Sequence, residues 1–256
     1  MHHTKAIAPH AKWLAALALG FASLAVSAQD LTVSAAASLS NAFKDVAAKF
    51  EAAHPGVSIK LNTAASGVLL QQINQGAPVD VFASADQATM DRAAQQSLID
   101  TASRRNFVSN SLVLVQPKDH AYTVKTLDDL KSDKVRRIAV GKPETVPAGR
   151  YTEQSLTAAK LWEVLQPRIV YAENVRQVLD YTSRGEVDVG FVYRTDAILK
   201  KQDVVIQLTA GNHAPLTYPI AIVSQSKEKA LAQKFLDYLA TPPAREILDG
   251  YGFGAP

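Results

Sequence analysis

Residues 31–51 read LTVSAAASLSNAFKDVAAKFE, and a change of period inside this stretch decides the fold. Leu31 to Ser34 is apolar and β-compatible. From Ser40 to Glu51 the period lengthens: Phe43, Val46, Ala47 and Phe50 recur at i, i+3, i+4 and i+7, the apolar stripe of a helix. Asp45 and Lys49 sit at i, i+4 on the wet side, in the order that favours a helix pair. Between strand and helix, Ser34 to Ser38 offers only tiny side chains and hydroxyls.

The same unit recurs along the chain. His54-Pro55-Gly56 breaks it, and Val57 to Leu61 alternates as a half-buried strand. Leu69, Leu70 and Ile73 mark a short helix stopped by Gly76 and Pro78; Val79 to Ala83 is a strand, and Asp86 caps the helix after it. Leu112 to Val115, Arg137 to Val140, Ile169 to Tyr171, Val187 to Val192 and, last, Tyr218 to Val223 read as strands. Helices are expected from about Arg150 to Lys160, from Asn174 to Ser183 and from Ser226 to Leu239, the last stopped by Thr241-Pro242-Pro243. Repeated alternation argues for α/β architecture, with mostly parallel sheets covered by helices. No long linker divides the chain, so two domains would share crossing strands, around Phe107 to Leu114 and around Leu216 to Ile222.

Composition sets the outer limits. The chain has 256 residues, 47% hydrophobic and 20% charged, the profile of a folded soluble protein large enough for a full core. With no cysteine, thiolate zinc sites, iron–sulfur clusters, thiol nucleophiles and disulfides are excluded. A formal net charge of +3 is too small to argue for nucleic acid. Residues 1–28 have the layout of a secretory signal peptide: Lys5 and Lys12, an apolar run from Trp13 to Val26, then Val26-Ser27-Ala28 for cleavage. That run is shorter than the ~20 residues a membrane-spanning helix needs. A periplasmic location is the expectation, without a lipid anchor, because no cysteine stands at the cleavage point.

Signs of catalysis are sparse. His54, His120 and His213 read as solvated loop residues without metal-ligand spacing, and His2, His3 and His10 belong to the leader. There is no Gly-x-Ser-x-Gly elbow, no phosphate loop and no dinucleotide fingerprint. Ser224 and Lys227 have the spacing of a serine–lysine nucleophile pair, the basis of a rival reading as a secreted hydrolase, although Ser224 also reads as a strand end. Asp80 and Asp188 interrupt apolar strands and are expected to tie loops by hydrogen bonds.

More informative are the helix starts. Ser34 to Ser40, Asn62 to Val68, Val146 to Gly149 and Glu173 to Val175 each lead into a helix. A helix start offers unpaired N–H groups and the positive end of a dipole; small residues let an anion come close. Serine before a helix is first of all a cap. Two serine junctions within thirty residues, with Pro147-Ala148-Gly149 at a third, shift the balance toward a site at the carboxyl ends of strands.

The chain resembles the periplasmic molybdate-binding proteins (ModA) of ABC-type importers. The resemblance rests on Ala35 to Leu39, Gly76 to Gln87 (GAPVDVFASADQ), Asn110 to Val113, Ala139 to Gly149 (AVGKPETVPAG), Ala172 to Arg176, Gly190 to Tyr193, Tyr218-Pro219 and Tyr251 to Phe253, in order along the chain. It implies a two-lobed periplasmic binding protein fold of type II, each lobe a mainly parallel sheet flanked by helices, with a two-strand hinge. The lobes would be 29–109 plus 220–256 and 110–219. It implies ligand contacts at Ser38, Ser66, Ala148, Val175 and Tyr193, with molybdenum held as the oxyanion. Ser66, in the less serine-rich segment Ala64 to Gly67, is placed by its distance from Gly76-Ala77-Pro78. It further implies a monomer that performs no reaction, carries no cofactor, and delivers molybdate or tungstate to a membrane permease and its ATPase.

Molybdate near neutral pH is a full dianion that only accepts hydrogen bonds, so its pocket needs donors and no carboxylate; none of the five positions is acidic. Arg150, Arg176 and Arg194 lie beside contact positions and are expected to pair with neighbours rather than touch the ligand. Sulfate is the nearest competing ligand. Ferric ion is another, against which the single Tyr193 match and the missing tyrosine partner count.

Overall fold

A computed structural model describes Met1, His2 and residues 29–256. Apart from its first two residues, the expected signal peptide lies outside the described residues.

The strands form two five-stranded sheets. The first holds β1 (Gln29–Ala36), β2 (Val57–Ala64), β3 (Val81–Ala83), β4 (Arg105–Ser109) and β10 (Thr217–Ile222), ordered β2-β1-β3-β10-β4. The second holds β5 (Leu112–Pro117), β6 (Ile138–Gly141), β7 (Ile169–Ala172), β8 (Val189–Tyr193) and β9 (Val204–Thr209), ordered β7-β6-β8-β5-β9. The pairings make four strands of each sheet run one way and the fifth against them, β10 in the first and β5 in the second. The exception has a geometric cause. The chain crosses between sheets after β4 and again after β9, each time leaving from the carboxyl end of the parallel set. A strand entering the other sheet from that side must run against it. The crossing segments also bond to each other, Asn110 N–H to Leu216 O at 3.1 Å and Ala210 N–H to Leu112 O at 2.9 Å.

Helices cover the sheets: α1 (Ser40–Ala53), α2 (Ser66–Asn74), α3 (Gln87–Gln95), α4 (Pro147–Ala158), α5 (Trp162–Leu165), α6 (Val175–Ser183), α7 (Arg194–Leu199), α8 (Lys229–Tyr238) and α9 (Pro242–Gly250). The stripe of α1 is buried as its period requires, and Phe50 packs edge-on against Phe235 of α8 with ring centroids 5.3 Å apart. Asp86 caps α3 by accepting the Thr89 N–H. None of the helices among the described residues is long and apolar enough to cross a membrane.

Boundaries depart from the pattern in instructive places. α4 begins at Pro147 rather than Arg150, because proline's fixed φ suits the first helical turn. α8 begins at Lys229 rather than Ser226, since the Ser226 hydroxyl is held by Asp80 and accepts the Glu228 N–H. β9 has no counterpart in the pattern reading; it is an edge strand with Val205 exposed, so its alternation is weak.

Candidate functional site

Every parallel strand beside a helix start ends on one small cavity between the sheets. The first sheet's connections supply Ala36, Ala37, Ser38, Ala65, Ser66 and Ala85; the second sheet's supply Val146, Pro147, Ala148, Val175 and Tyr193. All five residues nominated from the sequence line it, and no lining residue is charged. A larger open groove among Arg105, Leu236, Arg245 and Pro256 shares none of them.

Each donor is set by its own local chemistry. Ser66 opens α2, and its Oγ accepts the Ala85 N–H at 3.0 Å, which leaves the hydroxyl hydrogen free for the cavity. Ser38 Oγ lies 3.0 Å from the Tyr218 phenol, which in turn accepts from Asn110 Nδ2 at 3.2 Å. The Asn110 amide is oriented by accepting the Ser111 N–H on Oδ1. Either oxygen of the Ser38–Tyr218 pair can donate; where the phenol does so, the Ser38 hydrogen is left for the cavity. At α6, Asn174 Oδ1 accepts the N–H groups of Arg176 and Gln177, both at 3.0 Å. The Val175 N–H is the one left over, with no backbone acceptor among the described residues; the same holds for Ala148 N–H at α4. Ala148 is held in place by its neighbour: a Cβ on Gly149 would lie 1.9 Å from Gly141 O, so only glycine lets α4 press its first turn onto the end of β6. Tyr193 is buried, and its phenol has only a long contact, 3.5 Å to Ala85 O. Burial pushes the Tyr193 and Tyr218 phenols well above their ordinary range, so both keep their hydrogens and serve as donors.

Charge is held one layer out, and the lobes meet there. Arg150 reaches across the cleft to Asp86 Oδ2 with Nε at 2.8 Å and Nη2 at 2.6 Å, and to Thr89 Oγ1 at 2.7 Å. Arg176 reaches the Ser38 carbonyl at 3.1 Å and Asn41 Oδ1 at 2.9 Å, while its Nε lies 2.6 Å from the fully buried Asp196 Oδ1. That last contact is a charge pairing rather than an aligned hydrogen bond. Arg194 is exposed. A backbone contact joins the lobes too, Gly67 N–H to Thr145 O at 2.9 Å.

The remaining candidates take structural roles. Ser224 Oγ donates to Ser97 O at 2.9 Å and Lys227 is exposed, so the serine has no base and the hydrolase reading fails. Asp80 accepts Thr32 N–H and the Ser226 hydroxyl; Asp188 accepts the N–H groups of Arg136 and Arg137. His120 is not a solvated loop residue: it is half-buried, with Nε2 3.1 Å from Asp188 Oδ1. Nor is Tyr193 without a tyrosine neighbour. Tyr218 stands beside it, ring centroids 5.7 Å apart, but its phenol is engaged by Ser38 and Asn110 outside the cavity lining. Pattern reading gives Asp86 only its capping role and assigns none to Asn110, Asp196 and Tyr218 at the site; the partners set by the fold supply the rest.

Known proteins are similar to this chain in sequence and fold. Residues 31–254 match the family of bacterial extracellular solute-binding proteins. The molybdate-binding protein ModA of Escherichia coli is 40% identical over 254 residues, covering 94% of this chain and 98% of that protein. A Bacillus subtilis protein described as a putative ABC transporter substrate-binding lipoprotein, YvgL, is 38% identical over 226 residues, covering 88% of this chain and 86% of its own length. The solved periplasmic molybdate-binding protein of Azotobacter vinelandii superposes with a TM-score of 0.79 at 26% identity, covering 88% of this chain and 99% of that one. Two lobes, crossing strands and a match along nearly the whole chain lead to one conclusion: this chain belongs to the bacterial extracellular solute-binding proteins.

Proposed function

We propose that this protein binds molybdate, and tungstate as well, between its lobes and delivers it from the periplasm to an ABC importer. The observation that carries the reading is the make-up of the lining: Ser38, Ser66, Tyr193, Ala148 and Val175 border one cavity with no carboxylate or cation among them, and the Ala148 and Val175 N–H groups have no backbone acceptor among the described residues. A full dianion that only accepts hydrogen bonds fits such a lining. Phosphate, which keeps a proton near neutral pH, would leave that proton without an acceptor. Five bonds to a charged group at roughly 1.5–3 kcal/mol each sum to about 7.5–15 kcal/mol, and the upper part of that range reaches the ~8 kcal/mol of micromolar affinity after desolvation and closure. Relatives named for molybdate at up to 40% identity support the same ligand.

The lobes, 29–109 plus 220–256 and 110–219, close on the ion around the two crossing segments, the second junction falling inside β10. The closed form is what the membrane permease recognises, and its ATPase supplies the energy of transport. This chain acts as a monomer and performs no reaction. Calorimetric titration of the purified protein with molybdate, tungstate, sulfate and phosphate tests the reading. Tight binding of the first two with weak or no binding of the others is expected; tight sulfate binding with indifference to molybdate overturns it.

A further inference from the structure

Three of the five donors are linked through one ion pair outside the cavity. Asp196 is fully buried on α7; its Oδ2 accepts the Tyr193 N–H at 3.3 Å and its Oδ1 holds Arg176 Nε at 2.6 Å. Arg176 follows Val175 at the start of α6, and its two remaining nitrogens cross the cleft to the Ser38 carbonyl and to Asn41. The carboxylate thus fixes the backbone behind one donor, the guanidinium leaves the turn that presents a second, and the far end of the guanidinium holds the peptide behind a third. Asp196 and Arg176 share a lobe, so their pairing does not depend on closure. The bonds to Ser38 O and Asn41 exist only when the lobes meet.

We propose that Arg176, oriented by Asp196, is the positioning residue that registers Ser38 against Val175 and Tyr193 in the closed form, and so sets how long the bound ion stays. It touches no ligand. A guanidinium is suited to the task because its planar fork engages Asp196, Ser38 and Asn41 at once, while an ammonium on a flexible stem does not. The pair also places a positive charge beside the cleft already balanced by a carboxylate, which keeps recognition with the hydroxyl and peptide donors. This inference rests on the oxyanion reading above.

The test compares wild type with Arg176→Lys and with the double variant Arg176→Met/Asp196→Asn, which avoids leaving a buried carboxylate unpaired. Molybdate affinity, release rate and ligand-free melting temperature are measured for each. Arg176→Lys keeps a cation beside Asp196. It is expected to weaken molybdate about tenfold, mainly by faster release, with the ligand-free melt nearly unchanged. The double variant is expected to lose about a hundredfold. Affinity and release within twofold of wild type in both overturn the proposal. If the double variant does not fold, Asn41→Ala at an exposed position removes one cross-cleft partner; release several-fold faster is expected, and an unchanged rate overturns the proposal. If wild type itself binds no oxyanion, the functional reading fails by itself. The positioning role is then read from the distance between labels at Lys49→Cys and Arg184→Cys, sites free of competing thiols because the chain has no cysteine. Arg176→Lys is expected to lengthen or broaden that distance, and an unchanged distribution overturns the role.

Discussion

The two walls of the cavity present the same kind of hydrogen to the same space, but by different means. The first-sheet wall uses serine hydroxyls whose oxygens are already engaged, Ser66 by Ala85 N–H and Ser38 by Tyr218. The second-sheet wall uses N–H groups at the starts of α4 and α6, free by construction, and a phenol with only a 3.5 Å contact. A hydroxyl on the first wall therefore has two duties, structural and ligand-directed, whereas donors on the second wall have one. Substitutions on the first wall should move stability and affinity together; on the second they should move affinity alone.

The strongest way to break this contrast is Ala148→Asp, which faces a carboxylate to a dianion. Like charges in contact cost several kcal/mol, so affinity is expected to fall more than ~1,000-fold while the ligand-free melt stays nearly constant. Normal binding would mean that the pocket lies elsewhere. Ser66→Ala should weaken molybdate about tenfold and, by leaving the buried Ala85 N–H without an acceptor, also cost about 1–3 kcal/mol of stability in denaturant titration. Tyr193→Phe sharpens the comparison, because it is a side-chain donor on the second wall. Calorimetry should show a loss of up to about tenfold with an unshifted melt; a large drop in stability would show that the phenol is structurally committed after all.

A last test concerns pH. Burial pushes the Asp196 carboxyl up to about 6 from an ordinary 3.8, against the pull of Arg176. Between those values the folded chain holds the proton more tightly than the unfolded chain, so this group's contribution to stability rises as pH falls through about 6 toward 3.8. Asp188, lowered chiefly by the backbone N–H of Arg137 against the effect of burial, acts in the opposite sense. Since it is common to wild type and Asp196→Asn, it cancels in their difference. The difference in melting temperature should move toward wild type on acidification; a flat difference would place the carboxyl at its ordinary value.

What was legible in the sequence follows the same division. Ser38 and Ser66 stand out because a hydroxyl between a strand and a helix is visible in the residue type, and Ala148 because Pro147 and Gly149 mark a helix start. Val175 is marked only as part of the helix start Glu173 to Val175, since a peptide N–H has no side-chain signature, and Tyr193 rests on resemblance alone, since a tyrosine ending an apolar strand looks like core. The bridges of Arg150 to Asp86 and Arg176 to Ser38 span 64 and 138 positions in the chain, and nothing local distinguishes such arginines from surface ones. Period identified the central strands and the long helices. It failed at β9, where an edge strand with an exposed valine has little alternation to show.

Gly67 bears on how such a protein could be stopped rather than tuned. Its N–H meets Thr145 O at 2.9 Å, and a Cβ there would lie 2.7 Å from both the Thr145 Cα and its oxygen. One added methyl would be a wedge between the jaws. It would leave each half intact and every donor in place, yet prevent the bite. A protein so jammed would be a decoy, able to meet its cargo but never to present the shape that signals a full load.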